Sequence, residues 1–189
     1  MQTLLQLNSS KASLIDGLRQ EQAAVLVQVL GIVGFALLTV LGAQARIYLW
    51  EVPFSLQTLA VYGSGLYLGW RNGLLAQLLY QTIVMIIPVI AGEGFGIAYL
   101  YAAASAGYLL AYPLSAAAIG LLSKKWNSLT GSALSMLAGS AILFTLGVTW
   151  LQFAAGHATW MESIDKGWLR FIPVDMAKIL LVSMIYTGT

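Results

Sequence analysis

The sequence predicts an all-α, polytopic membrane protein built as a bundle of six transmembrane helices. Of its 189 residues, 59% are hydrophobic and only 8% are charged, whereas a soluble domain carries about 25% charged residues. The apolar residues also form long runs, and about 20 helical residues cross the roughly 30 Å of a bilayer's hydrocarbon core. These two observations together place the chain in the membrane.

Two parts are expected along the chain. Residues 1–22 mix polar and apolar side chains, with leucines spaced as in a weak amphipathic helix that lies on the membrane surface. A mobile tail is the alternative for this segment, and a signal peptide is not expected, because the charges follow the apolar residues. Residues 23–189 are expected to form one six-helix transmembrane domain.

The predicted spans are separated by polar, glycine-rich or proline-containing segments. They cover residues 23–45, 55–70, 73–91, 97–122, 129–155 and 173–189. Arg71 and Asn72 predict a tight turn between the second and third spans, and Pro113 predicts a kink in the fourth. Residues 156–170 are expected to form the longest internal loop. It contains His157, the single histidine, which is interpreted as a surface residue because no metal partner stands at ligand spacing.

Small residues predict where the helices approach one another. Gly65, Gly69 and Gly73 recur at four-residue intervals, and such ridges bring helix backbones close together. Thr39 and Ala43 on the first span are small residues one turn apart that could offer a docking face for another subunit. The pattern there is not distinctive, so no docking residue is assigned.

The distribution of basic residues predicts the orientation. With the N-terminus inside, the cytoplasmic segments carry Lys11, Arg19, Arg71, Lys124 and Lys125, and the outer segments carry Arg46, Lys166 and Arg170. An excess of Lys and Arg marks the cytoplasmic side, so both termini are expected in the cytoplasm. The glycine-rich loop around Glu93 and the beginning of the last span then face outward, where a solute enters.

The most informative stretch begins the last span. Pro173 suits the first turn of a helix, and Asp175 and Lys178 follow at an i,i+3 spacing that puts them on one face. Charged side chains at membrane depth are costly and mark a binding site, a pathway or a paired lock. The residues alone leave a ligand site and a salt bridge that only fixes helix packing as open alternatives.

Several classes of function are disfavoured. The chain has no cysteine, which excludes disulfides and thiol chemistry. It has no Walker A sequence, no H-E-x-x-H motif and no histidine beside a serine nucleophile, so no catalytic or metal-ligating residue is assigned and the chain is not expected to be an enzyme. A net charge of +2 with scattered basic residues gives no sign of nucleic-acid binding.

Four motifs in order resemble those of the BioY family, the biotin-capturing S subunits of energy-coupling factor (ECF) transporters. Residues 52–61 read V-P-F-S-L-Q-T-L-A-V, similar to the family's V-P-x-T-L-Q-T-L-A-V. Residues 88–96 look like its P-V-F-A-G-G-x-G-G loop, residues 107–113 like its G-G-Y-L-x-G-F stretch, and residues 172–178 like its P-G-D-x-x-K motif. The resemblance runs from the first span to the end.

The resemblance implies high-affinity membrane capture and uptake of biotin, with Asp175 and Lys178 hydrogen-bonding the vitamin. Further contacts are expected from Glu93 and Gly94 in the glycine-rich loop, from Gln57 and from Tyr108. A solvated loop acid is the alternative for Glu93, and helix packing is the alternative for Gln57. Biotin is then the transported ligand and no cofactor is expected. The implied partners are the lipid bilayer, a coupling transmembrane subunit and two ATPase subunits, in a bacterial plasma membrane.

The sequence also departs from the family pattern. Residues 102–106 read A-A-A-S-A where the family has G-P-T, and the glycine-rich loop contains Glu93. These departures leave open an S subunit for a different vitamin, since a fold does not fix a function. A structural bundle with a charge lock, which would bind no solute, is the other alternative.

Overall fold

The computed structural model describes residues 23–48, 51–87, 96–126 and 128–188, and these are almost entirely helical. The helices are α1 (Val25–Gln44), α2 (Gln57–Ile86), α3 (Ile97–Ala102), α4 (Ala106–Leu122), α5 (Leu129–Ala154), α6 (Trp160–Gly167) and α7 (Ile172–Thr187). Strands β1 (Arg46–Ile47) and β2 (Phe54–Ser55) pair antiparallel between α1 and α2, and a 3-10 turn (Leu169–Phe171) leads into α7. The predicted N-terminal part, residues 1–22, lies outside the described residues.

Helix α2 is two antiparallel arms that fold back at Gly69. The backbone there is non-helical, with φ 75° and ψ −178°, a region that essentially only glycine occupies. Gln57 and Tyr80 are 23 residues apart, which would be about 35 Å along one helix, yet Gln57 Nε2 lies 2.5 Å from the Tyr80 hydroxyl. The prediction of a turn at Arg71 and Asn72 is therefore wrong, because the glycine takes the turn and both residues begin the second arm.

The predicted fourth span consists of two helices, with a break between α3 and α4. The indole Nε1 of Trp150 in α5 donates to the carbonyl oxygen of Ala103 within this break at 3.0 Å. Pro113 lies inside the continuous helix α4, and the kink expected there stays a prediction.

The predicted loop of residues 156–170 contains α6 and the 3-10 turn. Thr159 caps α6, with its hydroxyl accepting a hydrogen bond from the backbone N–H of Glu162 at 3.2 Å. Glu162 lies in the first turn and Lys166 in the last, which suits the helix dipole. The predicted loop therefore includes a short helix, which begins after the cap at Thr159 and ends at Gly167.

Small residues let the helices of the bundle touch through their backbones. A Cβ atom on Gly65 would lie 2.5 Å from the carbonyl oxygen of Ala116 in α4. At Gly139 of α5 it would lie 2.4 Å from Cγ1 of Ile119, again in α4. The first arm of α2 and helix α5 therefore both pack on α4 around Ile119, and Gly65 plays the role that its spacing predicts.

Helix α1 packs on α2 through its own small face. Thr39 and Ala43 are buried there, and the Thr39 hydroxyl lies 3.4 Å from Oε1 of Gln77 in the second arm of α2. The suggestion that these two residues offer a docking face for another subunit is therefore wrong. Their small side chains serve contacts inside the chain.

The outer faces of the helices are apolar. Among the described residues, α1 and α5 are each long and apolar enough to cross a membrane, by length and composition. Only 11% of the most apolar stretch of α1 is buried, so most of its side chains point outward. Apolar side chains on the outside and packed small residues inside are the pattern of a helix bundle in lipid.

Candidate functional site

A cavity of about 60 Å³ lies at the end of the bundle where β1, β2 and α7 meet. It is bounded by the β strands, the beginning of α2, helices α4 and α5, and the first turns of α7. Its polar lining consists of Arg46, Ser55, Gln57, Thr58, Ser105, Asp175 and Lys178. Four residues predicted as ligand contacts are thereby brought together: Gln57, Tyr108, Asp175 and Lys178.

Asp175 is held in the first turn of α7 by hydrogen bonds from two other helices. The hydroxyl of Tyr62 in α2 donates to Oδ1 at 2.7 Å, and the hydroxyl of Ser140 in α5 donates to Oδ2 at 2.5 Å. The side chain is 4% exposed. Its position at the N-terminal end of a helix favours a negative charge, and the two donors fix the direction in which the carboxylate points.

Lys178, one turn further along α7, is held by the beginning of α2. Its ammonium donates to the carbonyl oxygen of Ser55 at 2.6 Å and to the hydroxyl of Thr58 at 3.0 Å. The side chain is half-buried. The last residue of strand β2 and the first turn of α2 thus position the cation, and its charge faces the cavity beside Asp175.

The two charged residues share the cavity but do not form an ion pair. The ion pairs found among the described residues do not include Asp175 with Lys178. Each residue instead bonds to a different part of α2, as the distances above show. The salt bridge that would only fix helix packing, the alternative left open by the sequence, is therefore not formed by these two side chains.

Gln57 and Tyr108 line the same cavity, and each makes a bond within the protein. The amide of Gln57 donates to the Tyr80 hydroxyl and accepts from the Ser55 hydroxyl at 2.8 Å. The Tyr108 hydroxyl donates to the carbonyl oxygen of Gly167 at 2.8 Å, so its ring edge and face are what the cavity sees. Both side chains act as walls whose orientation is already fixed.

The apolar walls come from aromatic residues in contact with one another. Phe171 stacks on Phe54 with ring centroids 4.2 Å apart, and Phe144 stacks on Trp168 with centroids 5.8 Å apart. Tyr112, Leu143 and Phe144 complete the lining from α4 and α5. An apolar pocket with a few fixed polar groups is the usual form of a small-molecule site.

Three residues of the candidate site could not be predicted from the sequence. Tyr62 and Ser140 carry the bonds to Asp175, and Arg46 is a second cation beside the cavity, with its guanidinium 5.3 Å from the Tyr48 ring centroid. Tyrosine and serine in apolar spans give no local signal, because their partner lies more than 30 residues away in the chain. The sequence assigns Arg46 to an outer segment and to no binding site.

An ion network lies beside the cavity, next to its wall residues Val52 and Pro53. Lys166 of α6 lies 3.0 Å from Glu51, which precedes the wall residues Val52 and Pro53, and 2.9 Å from Glu162. The backbone N–H and Lys166 lower the pKa of the Glu51 carboxyl, and hydrogen bonds to the two acids raise the pKa of Lys166. The network therefore ties α6 to the segment between the β strands.

His157 belongs to this network and is not a surface residue. Its side chain is 5% exposed, its Nδ1 lies 2.8 Å from the Ser163 hydroxyl, and its Nε2 lies 3.5 Å from a carboxylate oxygen of Glu51. The Ser163 hydroxyl donates onward to Gln152, so it accepts from His157. The loop position suggested exposure, but α6 covers the ring. Among the described residues, no group of three potential ligands stands ready for a metal.

Glu93 and Gly94 lie outside the described residues, as does most of the glycine-rich loop. Their assignment as ligand contacts stays a prediction. The described chain resumes at Gly96, whose backbone N–H donates to the carbonyl oxygen of Val84 at 3.2 Å. Gly96 therefore lies beside the second arm of α2.

The proteins to which this chain is similar all belong to one family. The model of the BioY family matches residues 13–189. The biotin transporter BioY of Thermotoga maritima is 34% identical over 152 residues, which cover 80% of this chain and 88% of the relative. The probable biotin transporter BioY of Pyrococcus horikoshii is 33% identical over 145 residues, covering 76% and 84%.

A solved structure shares the fold. A crystal structure of the S-component for biotin from an ECF-type ABC transporter superposes with a TM-score of 0.78. The alignment covers 86% of this chain and 90% of that chain at 22% sequence identity. At that identity the likeness speaks for the helical architecture alone.

Proposed function

The chain belongs to the BioY family, and on that premise we propose that it captures biotin at the membrane and serves in its uptake as the S subunit of an ECF-type transporter. The observation that carries the proposal is the arrangement of Asp175 and Lys178. Both charged side chains line one cavity, and each is hydrogen-bonded to other residues of the protein. They do not form an ion pair with each other.

The remaining hydrogen-bonding capacity of this pair fits a polar ligand head. A carboxylate offers about four lone-pair sites, and Tyr62 and Ser140 occupy two of those of Asp175. An ammonium has three donors, and Ser55 and Thr58 take two of those of Lys178. Acceptor sites on the acid and one donor on the lysine remain for a ligand.

Biotin offers the complementary groups. Its ureido ring has two N–H donors and a carbonyl acceptor, its thiophane ring is apolar and its tail ends in a carboxylate. We propose that Asp175 accepts from the ureido N–H groups and Lys178 donates to an oxygen of the vitamin. The apolar ring fits the walls formed by Tyr108, Tyr112 and Phe144. Gln57, Glu93 and Gly94 stay as further proposed contacts.

We propose six membrane crossings. They are α1, the two arms of α2, helices α3 and α4 taken together, α5, and α7, as parts of one domain covering residues 23–189. The basic residues favour an orientation with both termini in the cytoplasm of a bacterial plasma membrane. In that orientation the cavity opens outward, and residues 1–22 are a separate polar segment on the inner side.

We propose that separate subunits drive transport. The relatives named above are transporters, and this chain is accordingly a substrate-binding subunit and not an enzyme. Two ATPase subunits and a coupling transmembrane subunit are the proposed partners, and biotin is the transported ligand with no cofactor. ATP hydrolysis by the purified chain alone would contradict this division of labour.

Direct binding tests the proposal. The purified chain is titrated with biotin, riboflavin and thiamine by isothermal calorimetry in the same detergent. Saturable binding of biotin alone is expected, while preference for another vitamin would make the chain an S subunit for that vitamin. Binding of none of them would favour a structural bundle. Asp175→Asn serves as the matched control, because it keeps the size of the side chain and removes the charge.

A further inference from the structure

A second cavity, of about 220 Å³, lies at the opposite end of the bundle. Helix α1 connects the two ends, since Val25 at its beginning lines the second cavity and Arg46 just after its end lines the first. The second cavity lies between α1, the hairpin tip of α2 at Gly69 and the turn that follows α4. Nothing in the proposed biotin site uses it.

Its polar rim carries two cations. Arg71 and Lys124 both line the cavity, both are exposed, and neither takes part in an ion pair among the described residues. The described residues that line it include no acid. Asn72 and Gln28 close the rim between them, with a hydrogen bond of 3.2 Å across the gap between α2 and α1.

Below the rim the walls are apolar. Val25, Val29 and Ile32 contribute from one turn after another of α1, and Leu68 and Leu75 contribute from the two arms of α2. Trp70 stands at the level of the cations and is partly exposed, as is usual where helix ends meet lipid head groups. The cavity therefore has a cationic mouth and an aliphatic floor.

The position of the two cations is fixed by a backbone contact. A Cβ on Gly120 of α4 would lie 2.2 Å from the backbone nitrogen of Trp70, so the hairpin tip of α2 rests directly on α4. Arg71 follows Trp70 in the chain, and Lys124 follows Gly120 by four residues. The glycine thus brings the two cations to one cavity.

Charge is distributed unevenly between the two ends. Among the described residues, the acids Glu51, Glu162, Asp165 and Asp175 all lie on segments at the biotin-cavity end. The described charges at the other end are Arg71, Lys124 and Lys125. An unbalanced positive end beside lipid attracts anionic head groups.

We propose that this second cavity binds the head group and upper acyl chain of an anionic phospholipid. Arg71 and Lys124 pair with the lipid phosphate, and the aliphatic side chains of α1 and α2 contact the chain below it. The occupant is an amphiphile because the cavity presents both surfaces at once. The proposal concerns lipid binding and stands apart from biotin capture.

Lipid retention by the purified full-length chain tests the proposal. The protein in neutral detergent is given equimolar phosphatidylglycerol and phosphatidylcholine with identical acyl chains, and bound lipids are counted by native mass spectrometry. Preferential retention of phosphatidylglycerol is expected. Each cation near a membrane surface contributes about fivefold in affinity, so R71Q/K124Q should lower the affinity for phosphatidylglycerol roughly twenty-five-fold. The affinity for phosphatidylcholine should fall much less, because its choline cation already offsets the phosphate charge, and the preference between the two lipids should disappear.

K125Q is the matched control, because it removes an adjacent exposed cation that does not line the cavity. It should retain the preference, whereas R71Q and K124Q should each lose about fivefold at the same net charge. Circular dichroism checks that all variants are folded. Equal retention of both lipids, or an unchanged preference in R71Q/K124Q, would overturn the proposal. Equal affinity for soluble glycerol phosphate would also overturn it, by identifying a site for free phosphate.

Discussion

The hydroxyl of Tyr62 lies 2.7 Å from Oδ1 of Asp175, across 113 positions of sequence. Both side chains are buried, so this hydrogen bond satisfies polar atoms that water cannot reach. It connects the first arm of α2 to the first turn of α7, the two elements that also share Lys178. The site is thus held together by α2 from one side and by Ser140 of α5 from the other.

Tyr62→Phe should destabilise the folded protein by about 1.5–3 kcal/mol, because it removes a hydrogen bond to a buried carboxylate. Biotin affinity should also fall, since Asp175 then keeps one of its two fixing bonds. Thermal unfolding and a biotin titration measure the two effects. Tyr108→Phe is the matched control for stability, because its buried hydroxyl donates to a neutral carbonyl and should cost only about 0.5–1.5 kcal/mol. An equal cost for both changes would show that Asp175 is not charged in the fold.

The helical class and the Asp175 site could be predicted from local sequence. Long apolar runs allow few structures in lipid, and Pro173 followed by Asp175 and Lys178 indicates a charged helix face. The bonding partners could not be predicted, because Tyr62, Ser140 and the Ser55 carbonyl reach the pair only through tertiary packing. The i,i+3 spacing is compatible with a direct ion pair, but both side chains form hydrogen bonds to residues of other elements instead.

The errors along the chain have a common cause. Polar residues favour turns, so Arg71 and Asn72 predict a turn that Gly69 makes instead, and the polar stretch 156–170 predicts a loop where α6 forms. The backbone of Gly69 and the cap at Thr159 decided these places. A T-x-x-E pattern before α6 was a readable signal for a helix start, whereas nothing local distinguishes Gly69 from Gly65.

Gly120→Ala should destabilise the fold severely, by about 3 kcal/mol or more. The new methyl would meet the Trp70 nitrogen at 2.2 Å and the Gly69 carbonyl carbon at 2.4 Å, and backbone atoms at a hairpin tip have no free path away. Overpacking of this kind costs about 1–3 kcal/mol even among side chains. Unfolding in denaturant or a shift in melting temperature measures it.

Gly34→Ala is the matched control for that substitution. It lies inside helix α1 with no atom within 4 Å of an added Cβ, so it should be neutral or stabilise by up to about 1 kcal/mol. Equal behaviour of the two variants would mean that the hairpin tip does not rest on α4. Such a result would also remove the reason why Arg71 and Lys124 share a cavity.

Lys166→Met should loosen the segment between β1 and β2, and the effect should depend on pH. The lowered pKa of Glu51 contributes stability that is complete above about 4.5 and is lost as the pH falls through the folded value. The raised pKa of Lys166 contributes stability that is complete below about 10.5 and is lost as the pH rises beyond it. The difference between wild type and variant should therefore span that window and fade outside it.

Hydrogen exchange of the backbone around Glu51 measures this loosening at low salt, where exposed ion pairs are least screened. Lys125→Met removes a cation that forms none of the described ion pairs and should leave the exchange unchanged. A loss of protection of the same size at every pH would contradict an electrostatic cause.

The pair Asp175→Asn and Lys178→Met separates a ligand site from a packing lock. Because the two residues share no bonding partner, each substitution leaves its own polar groups unpaired, and the double variant should be less stable than either single one. Biotin affinity should fall about tenfold to a hundredfold with Asp175→Asn, as expected for one charge-assisted bond. The double variant should bind no better than the weaker single variant.

Melting temperatures and biotin titrations on all three variants distinguish a ligand site from a packing lock. A lock would instead regain stability in the double variant, because no buried charge would remain, and biotin binding that stays constant across the set would remove Asp175 and Lys178 from the site.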